Sequence, residues 1–308
     1  MKTRLFVISF LLMLSPVLYG QNQTQATLLE KAYQDSSEVL LHEFFDNWFN
    51  EVSSNESEAP NKWVAEAHKV FKTFYQPLQL DKIGCGGNEF QVSYQDYPYF
   101  IVQDTLYSIF VADAIPITDD ELKTYYENRI NQMYADADKR KKEQETLLRI
   151  IELGNLDADF SSNYYYLSHS WSKIPMTKMD SNITFRPQVS FPNKKIVYLT
   201  KDYKLLLNEF LGDKHVDLGT KSIMQTAYAK DESRQRMEFI EKAVLIFYGH
   251  WGSYWQYVTY PEAYSIIFDS SMQRAVVNFR FVYEGGEVYL EKKNGEWVVV
   301  SGKLTWIE

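Results

Sequence analysis

The sequence predicts an α+β protein: an N-terminal helix-rich α/β region followed by a C-terminal helix packed on a curved four-stranded antiparallel sheet. Three observations carry this expectation. Apolar residues recur at helical spacing through much of the first 150 positions. Residues 274–284 (RAVVNFRFVYE) alternate in and out with a period of two. Gly285-Gly286 and Asn294-Gly295 follow as hairpin signals.

The N-terminus reads as an export signal. Lys2 and Arg4 precede the apolar run Leu5 to Leu14, which Ser15 and Pro16 close before polar Gln21-Asn22-Gln23-Thr24. The run is shorter than the roughly 20 residues a spanning helix needs. Cleavage is expected after Gly20, giving a secreted or periplasmic protein, with an uncleaved anchor as the alternative. No Cys follows the run, which excludes a bacterial lipoprotein anchor. The expected organisation is a signal at 1–20, a helix-rich domain at 21–215 and a C-terminal domain at 216–308.

Helices are expected over 27–52, on Leu29, Tyr33, Leu40, Phe44 and Trp48, and over 61–75, on Trp63, Ala67, Val70, Phe71 and Phe74, with Pro77 beyond. Tyr99 to Ala112 reads as one or two strands. A helix over 118–153 opens with the capping box Thr118 and Glu121 and carries Leu122, Tyr126, Ile130 and Met133 on one face. Its charged turns, 138–145, mix both signs and read as a solvated face. Loops and short strands are expected over 155–195, a strand over Lys195 to Thr200 and a helix over Tyr203 to Leu211.

In the C-terminal unit, Met237, Ile240, Val244, Phe247 and Trp251 step by three and four, predicting a helix over about 226–248. Strands follow at Ala263 to Asp269, at 274–284, at Val288 to Lys293 and from Trp297 onward. The long strand puts Ala275, Val277, Phe279 and Phe281 on one face and Arg274, Asn278 and Arg280 on the other, with Val276 and Val282.

This stretch, with its helix stripe, its alternating strand ending YEGGE and its closing KNGEW and LTWIE, resembles the cystatin-like and NTF2-like group of α+β folds. The resemblance covers residues 223–308 and rests on the order of elements. It implies a helix laid across a sheet. Members of the group include enzymes, inhibitors, transport factors and association domains, so the resemblance leaves the function open.

Composition excludes some classes. Removal of Lys2 and Arg4 cuts the basic residues from 32 to 30 against 41 acidic ones, taking the net charge from -9 to -11. Such a chain has no electrostatic basis for binding nucleic acid. No later stretch is apolar enough to insert in a membrane after signal cleavage. Cys85 is the only cysteine, so no internal disulfide can form. It reads as a passive thiol in a glycine-rich turn, with a Cys nucleophile as the alternative. The five His residues (42, 68, 169, 215 and 250) form no His-x-x-x-His pair, and no metal or cofactor is expected. No serine-nucleophile elbow or phosphate loop is present. Asn22, Asn55 and Asn182 lie in glycosylation sequons.

The candidate ligand-binding residues are Trp251, Tyr254, Trp255, Tyr257 and Tyr260, with Tyr264 beside them, where the expected helix passes into the first strand. Their rings suit a sugar or a partner's apolar surface; packing is the competing reading. No catalytic residue is identified. Three functions follow: a non-catalytic protein binding a small ligand, glycan or protein; a secreted hydrolase of polysaccharide or peptide using dispersed carboxylates; and an assembly domain whose sheet face (Arg274, Val276, Asn278, Arg280, Val282) pairs two copies.

Overall fold

A computed structural model of the chain describes residues 24–52, 59–85, 93–133, 135–142, 145, 174–212, 231–248 and 255–307. Its helices before the first strands are α1 (24–34), α2 (Glu38–Val52) and α3 (Lys62–Phe74). Then come β1 (Tyr99–Gln103), β2 (Thr105–Ala112), α4 (Asp119–Met133), β3 (Met176–Thr184) and β4 (Lys195–Leu199). They are followed by α5 (Lys201–Leu211), α6 (Asp231–Ile240), β5 (Phe247–Tyr248) and β6 (Trp255–Gln256). The chain ends with β7 (Glu262–Asp269), β8 (Arg274–Phe281), β9 (Glu284–Lys293) and β10 (Glu296–Ile307). The α+β expectation holds at this level.

The chain divides into two units, each drawn from three segments. Unit 1 takes the residues before 57, 93–104 and 189–259; unit 2 takes 57–92, 105–188 and 260–308.

In unit 1, the helix expected over 27–52 is two helices. Ser36 adopts a left-handed conformation (φ 49°), and the Ser37 hydroxyl caps α2 by accepting from the Leu40 amide at 3.3 Å. Short polar side chains that bond the local backbone favour such breaks over helix interiors. The stripe of α2 (Leu41, Phe44, Phe45, Trp48) is buried beside β4, which pairs in parallel with β1. Trp48 stacks on Tyr203 of α5, with centroids 4.2 Å apart, and its indole N–H donates to the Tyr198 carbonyl at 3.1 Å.

The helix expected over 226–248 ends at Ile240, and residues 247–248 form a strand. It belongs to unit 1, where it packs with α5. Ala243 and Val244 stay buried in the turn that follows, so the apolar stripe outlives the helix. Val244, Ile246, Phe247 and Tyr248, β-branched or aromatic, favour extended chain.

Unit 2 contains a six-stranded sheet in the order β10-β9-β8-β7-β2-β3. The expected four-stranded meander, β7 to β10, is present, but β2 joins β7 in parallel and β3 adds to β2 antiparallel. The helix against this sheet is α3, which contacts β2, β8 and β10. Its Asn61 cap accepts from the Trp63 and Val64 amides. Trp63 faces Phe268 with centroids 6.0 Å apart, and Phe74 faces Phe279 at 5.6 Å.

Glu66 of α3 accepts from Lys292 Nζ and from the Trp297 indole N–H, both at 2.9 Å. Burial opposes ionisation of this carboxyl, yet the hydrogen bonds from Lys69, Lys292 and Trp297 hold its pKa at about 2.

Of the three turns that join the meander's strands, two bear on the expected glycine signals. Asn294 (φ 54°) and Gly295 (φ 87°) make the expected hairpin. The other turn is Val282-Tyr283, since Phe281 pairs with Glu284, and the Gly285-Gly286 pair expected there lies inside β9. Those glycines serve close approach: a Cβ at Gly285 would overlap the Trp306 indole, and one at Gly286 the Lys303 carbonyl.

The capping box of α4 forms, with Thr118 Oγ1 accepting from the Glu121 amide at 3.2 Å. The helix expected over 118–153 breaks after Met133; 137–142 is again helical, and most of the remainder lies outside the described residues.

Candidate functional site

The face of the unit 2 sheet turned away from α3 has three successive rows. Cross-strand register sets them, because directly paired residues share a face.

The first row is apolar. Ile267, Val276 and Tyr289 are buried with Ala112, Ile115 and Ile174, and Phe110, Ile117 and Tyr125 pack against them. Arg274 clasps this end. Its guanidinium donates to both carboxylate oxygens of Glu121, at 2.7 and 2.9 Å, and to the Ile115 carbonyl at 3.0 Å. The Arg274 hydrogen bonds hold the Glu121 carboxyl at about 2.

The second row is polar and crosses every strand. Ser181 pairs with Ser108, Ser108 with Ser265, Ser265 with Asn278, Asn278 with Glu287, and Glu287 with Lys303. The Asn278 amide donates to Ser265 Oγ at 2.8 Å. The Tyr289 hydroxyl donates to Glu287 Oε2 at 2.7 Å, and Lys303 Nζ stands 3.8 Å from the same oxygen. Glu287 is 7% exposed. Burial pushes its carboxyl pKa up, against the opposing pull of Lys303 and the Tyr289 hydroxyl. It therefore holds a proton at higher pH than an exposed glutamate and can donate as well as accept.

The third row is aromatic and charged. Trp306 pairs with Gly285 and Gly285 with Arg280. Arg280 also pairs with Glu262 and donates through Nε to the Val282 carbonyl at 3.0 Å. The register shifts between Ala263 and Ser265, leaving Tyr264 as the extra residue of a bulge, a feature that re-aims side chains. The Trp306 side chain lies beside the Tyr264 hydroxyl. Lys303 Nζ lies 5.6 Å from the Tyr289 ring centroid.

The aromatic residues selected from sequence are placed differently. Trp255 and Tyr257 belong to unit 1 and Tyr260 to unit 2; all three are buried. The Tyr257 hydroxyl donates to Asn208 Oδ1 at 2.5 Å. Trp251 and Tyr254 lie outside the described residues, as do His169, His215 and His250. Among the described members of that run, Tyr264 is the one that joins the third row. Of the sheet-face set, Val276 and Val282 are buried, Arg274 is held by Glu121, and Asn278 and Arg280 lie on the second and third rows.

Glu287, Lys303 and Trp306 are the residues sequence reading passes over. Their signal is the closing hairpin, which sets the register, but two bulges in β10 shift it.

Two clefts each carry an ion pair. A cleft of about 740 Å³ beside α1 and α5 includes Glu30 and Phe210. Arg236 binds that Glu30 at 2.5 Å and lies 4.8 Å from the ring centroids of Tyr33 and Phe210. A cleft of about 560 Å³ beside α4 includes the Arg274–Glu121 pair.

Cys85 is 4% exposed. Burial, then the nearby charge of Glu284, pushes its thiol up to about 12. Among the described residues, no group of three or more His, Cys, Asp or Glu could hold a metal ion, and no helix is long and apolar enough to cross a membrane.

Comparison with protein-family models, curated proteins and solved structures finds no match for this chain.

Proposed function

We propose that this is an exported, non-catalytic binding protein whose ligand sits on the sheet face of unit 2, over Asn278, Glu287 and Lys303 and beside Tyr264 and Trp306. One observation carries the reading: a polar row runs unbroken across six strands and includes a buried carboxyl. Burying a carboxyl there costs several kcal/mol relative to an apolar side chain unless it is well compensated. A face shaped only for stability would continue the valine and isoleucine of the first row.

Export is the second part of the proposal and rests on Lys2, Arg4 and the apolar run that follows. Fractionation of the native product with N-terminal sequencing tests it; a start near Gln21 outside the cytosol is expected. The cystatin-like and NTF2-like resemblance also remains a proposal, now resting on the β7–β10 meander.

Thermal unfolding of the chain from residue 21, scanned against small polar compounds and glycans, tests the site. A ligand that raises the Tm of the native chain and leaves Asn278→Leu unchanged is the expected outcome. A ligand acting equally on both refutes the placement.

The raised pKa of Glu287 favours a second reading, a hydrolase using it as general acid. Hydrolysis of a polysaccharide or peptide, lost in Glu287→Gln, would establish that reading. Pairing of two copies through the sheet face has less support, since Val276 is covered and Arg274 is clasped.

A further inference from the structure

We infer that the Glu287 surface takes a neutral saccharide, laid across the strands with one sugar ring against Trp306. The inference rests on the binding reading above and adds the ligand's chemical class.

Charge gives the first argument. Glu287 is paired with Lys303 and Glu262 with Arg280 on neighbouring strands. Two acids facing two bases give neither an anion nor a cation a net attraction. An uncharged ligand meets no such conflict.

Hydrogen bonding gives the second. Asn278 supplies a part-exposed amide and Lys303 a part-exposed ammonium, two strand spacings of about 4.8 Å each apart, with buried Glu287 between them beside Lys303. A ligand matched to this row carries many hydroxyl groups, each able to donate and accept.

The third is the ring. Trp306 is seated on the bare backbone of Gly285, beside the Tyr264 hydroxyl. An indole fixed beside a polar row can take the apolar C–H face of a sugar while the row takes its hydroxyls.

Calorimetric titration of the chain from residue 21 tests the inference. The probes are maltotriose, cellotriose, mannotriose and chitotriose, with trigalacturonic acid and chitosan trimer as charged counterparts. At least one neutral trisaccharide should bind, ten-fold or more weaker in Asn278→Leu and in Trp306→Ala, and less weakened in Trp306→Phe, which keeps a ring. The charged trimers should bind more weakly. A charged trimer that binds best and is lost in Asn278→Leu overturns the ligand class and keeps the site. A neutral trisaccharide that binds all variants equally overturns the site itself. Failure of all six to bind overturns the saccharide class.

Discussion

The Trp306 indole rests on the backbone of Gly285, at a distance that leaves no room for a Cβ on residue 285. That contact fixes the edge of the proposed ligand surface, and it explains why Gly285 lies within a strand.

Gly285→Ala should therefore lower stability by about 1–3 kcal/mol, the usual cost of overpacking. Urea denaturation measures it. The loss should shrink when Trp306→Ala is combined with it, because the clash is then removed. An unchanged midpoint in Gly285→Ala contradicts the contact.

Glu66 links α3 to β9 and β10. Its folded pKa of about 2 lies below the unfolded value of 4.5. Its contribution is therefore present above about pH 4.5 and fades as pH falls toward 2. Glu66→Gln should cost about 1–3 kcal/mol at pH 7, and much less at pH 3, by chemical denaturation at both values. Equal losses at both pH values contradict the ionic origin.

Glu287 works in the opposite sense. Its folded pKa is raised, so its stabilising effect is complete below the unfolded pKa and declines as pH rises through the folded value. Thermal unfolding should show Glu287→Gln gaining on the native chain as pH rises above 4.5. A difference that does not vary with pH removes the linkage.

Cys85 should resist modification. With the thiol buried and its pKa pushed up to about 12, iodoacetamide at pH 8 should label the folded chain far more slowly than the urea-unfolded chain. Rapid labelling of the folded chain would revive the nucleophile reading.

Local signals in the sequence locate most elements. Asn294-Gly295, the Thr118–Glu121 box and the alternation of 274–281 all appear as read. What escapes is non-local. Counting back from the Asn294-Gly295 turn, Glu296 pairs with Lys293, which would set Lys303 opposite Gly286. The bulge between Val299 and Ser301 adds one residue and sets Lys303 opposite Glu287. A one-residue shift moves a side chain to the other face, so the polar row is invisible until the bulge is known.

The same holds for the six-stranded sheet. β2 pairs with β7 across some 157 residues (Ser108 with Ser265) and β3 pairs with β2 across some 73 (Ser108 with Ser181), and nothing local in Thr105 to Ala112 names its partner. The helix stripe around Met237 misleads because a buried turn preserves a helical spacing after the helix has ended.

The central claim is that ligand binding occurs on the Asn278–Glu287–Lys303 row. Backbone amide shift mapping, during titration with the trisaccharide that binds best, tests it most directly. The largest shifts should cluster at Tyr264, Asn278, Glu287, Lys303 and Trp306. Shifts confined to unit 1, around α2 and α5, would contradict it.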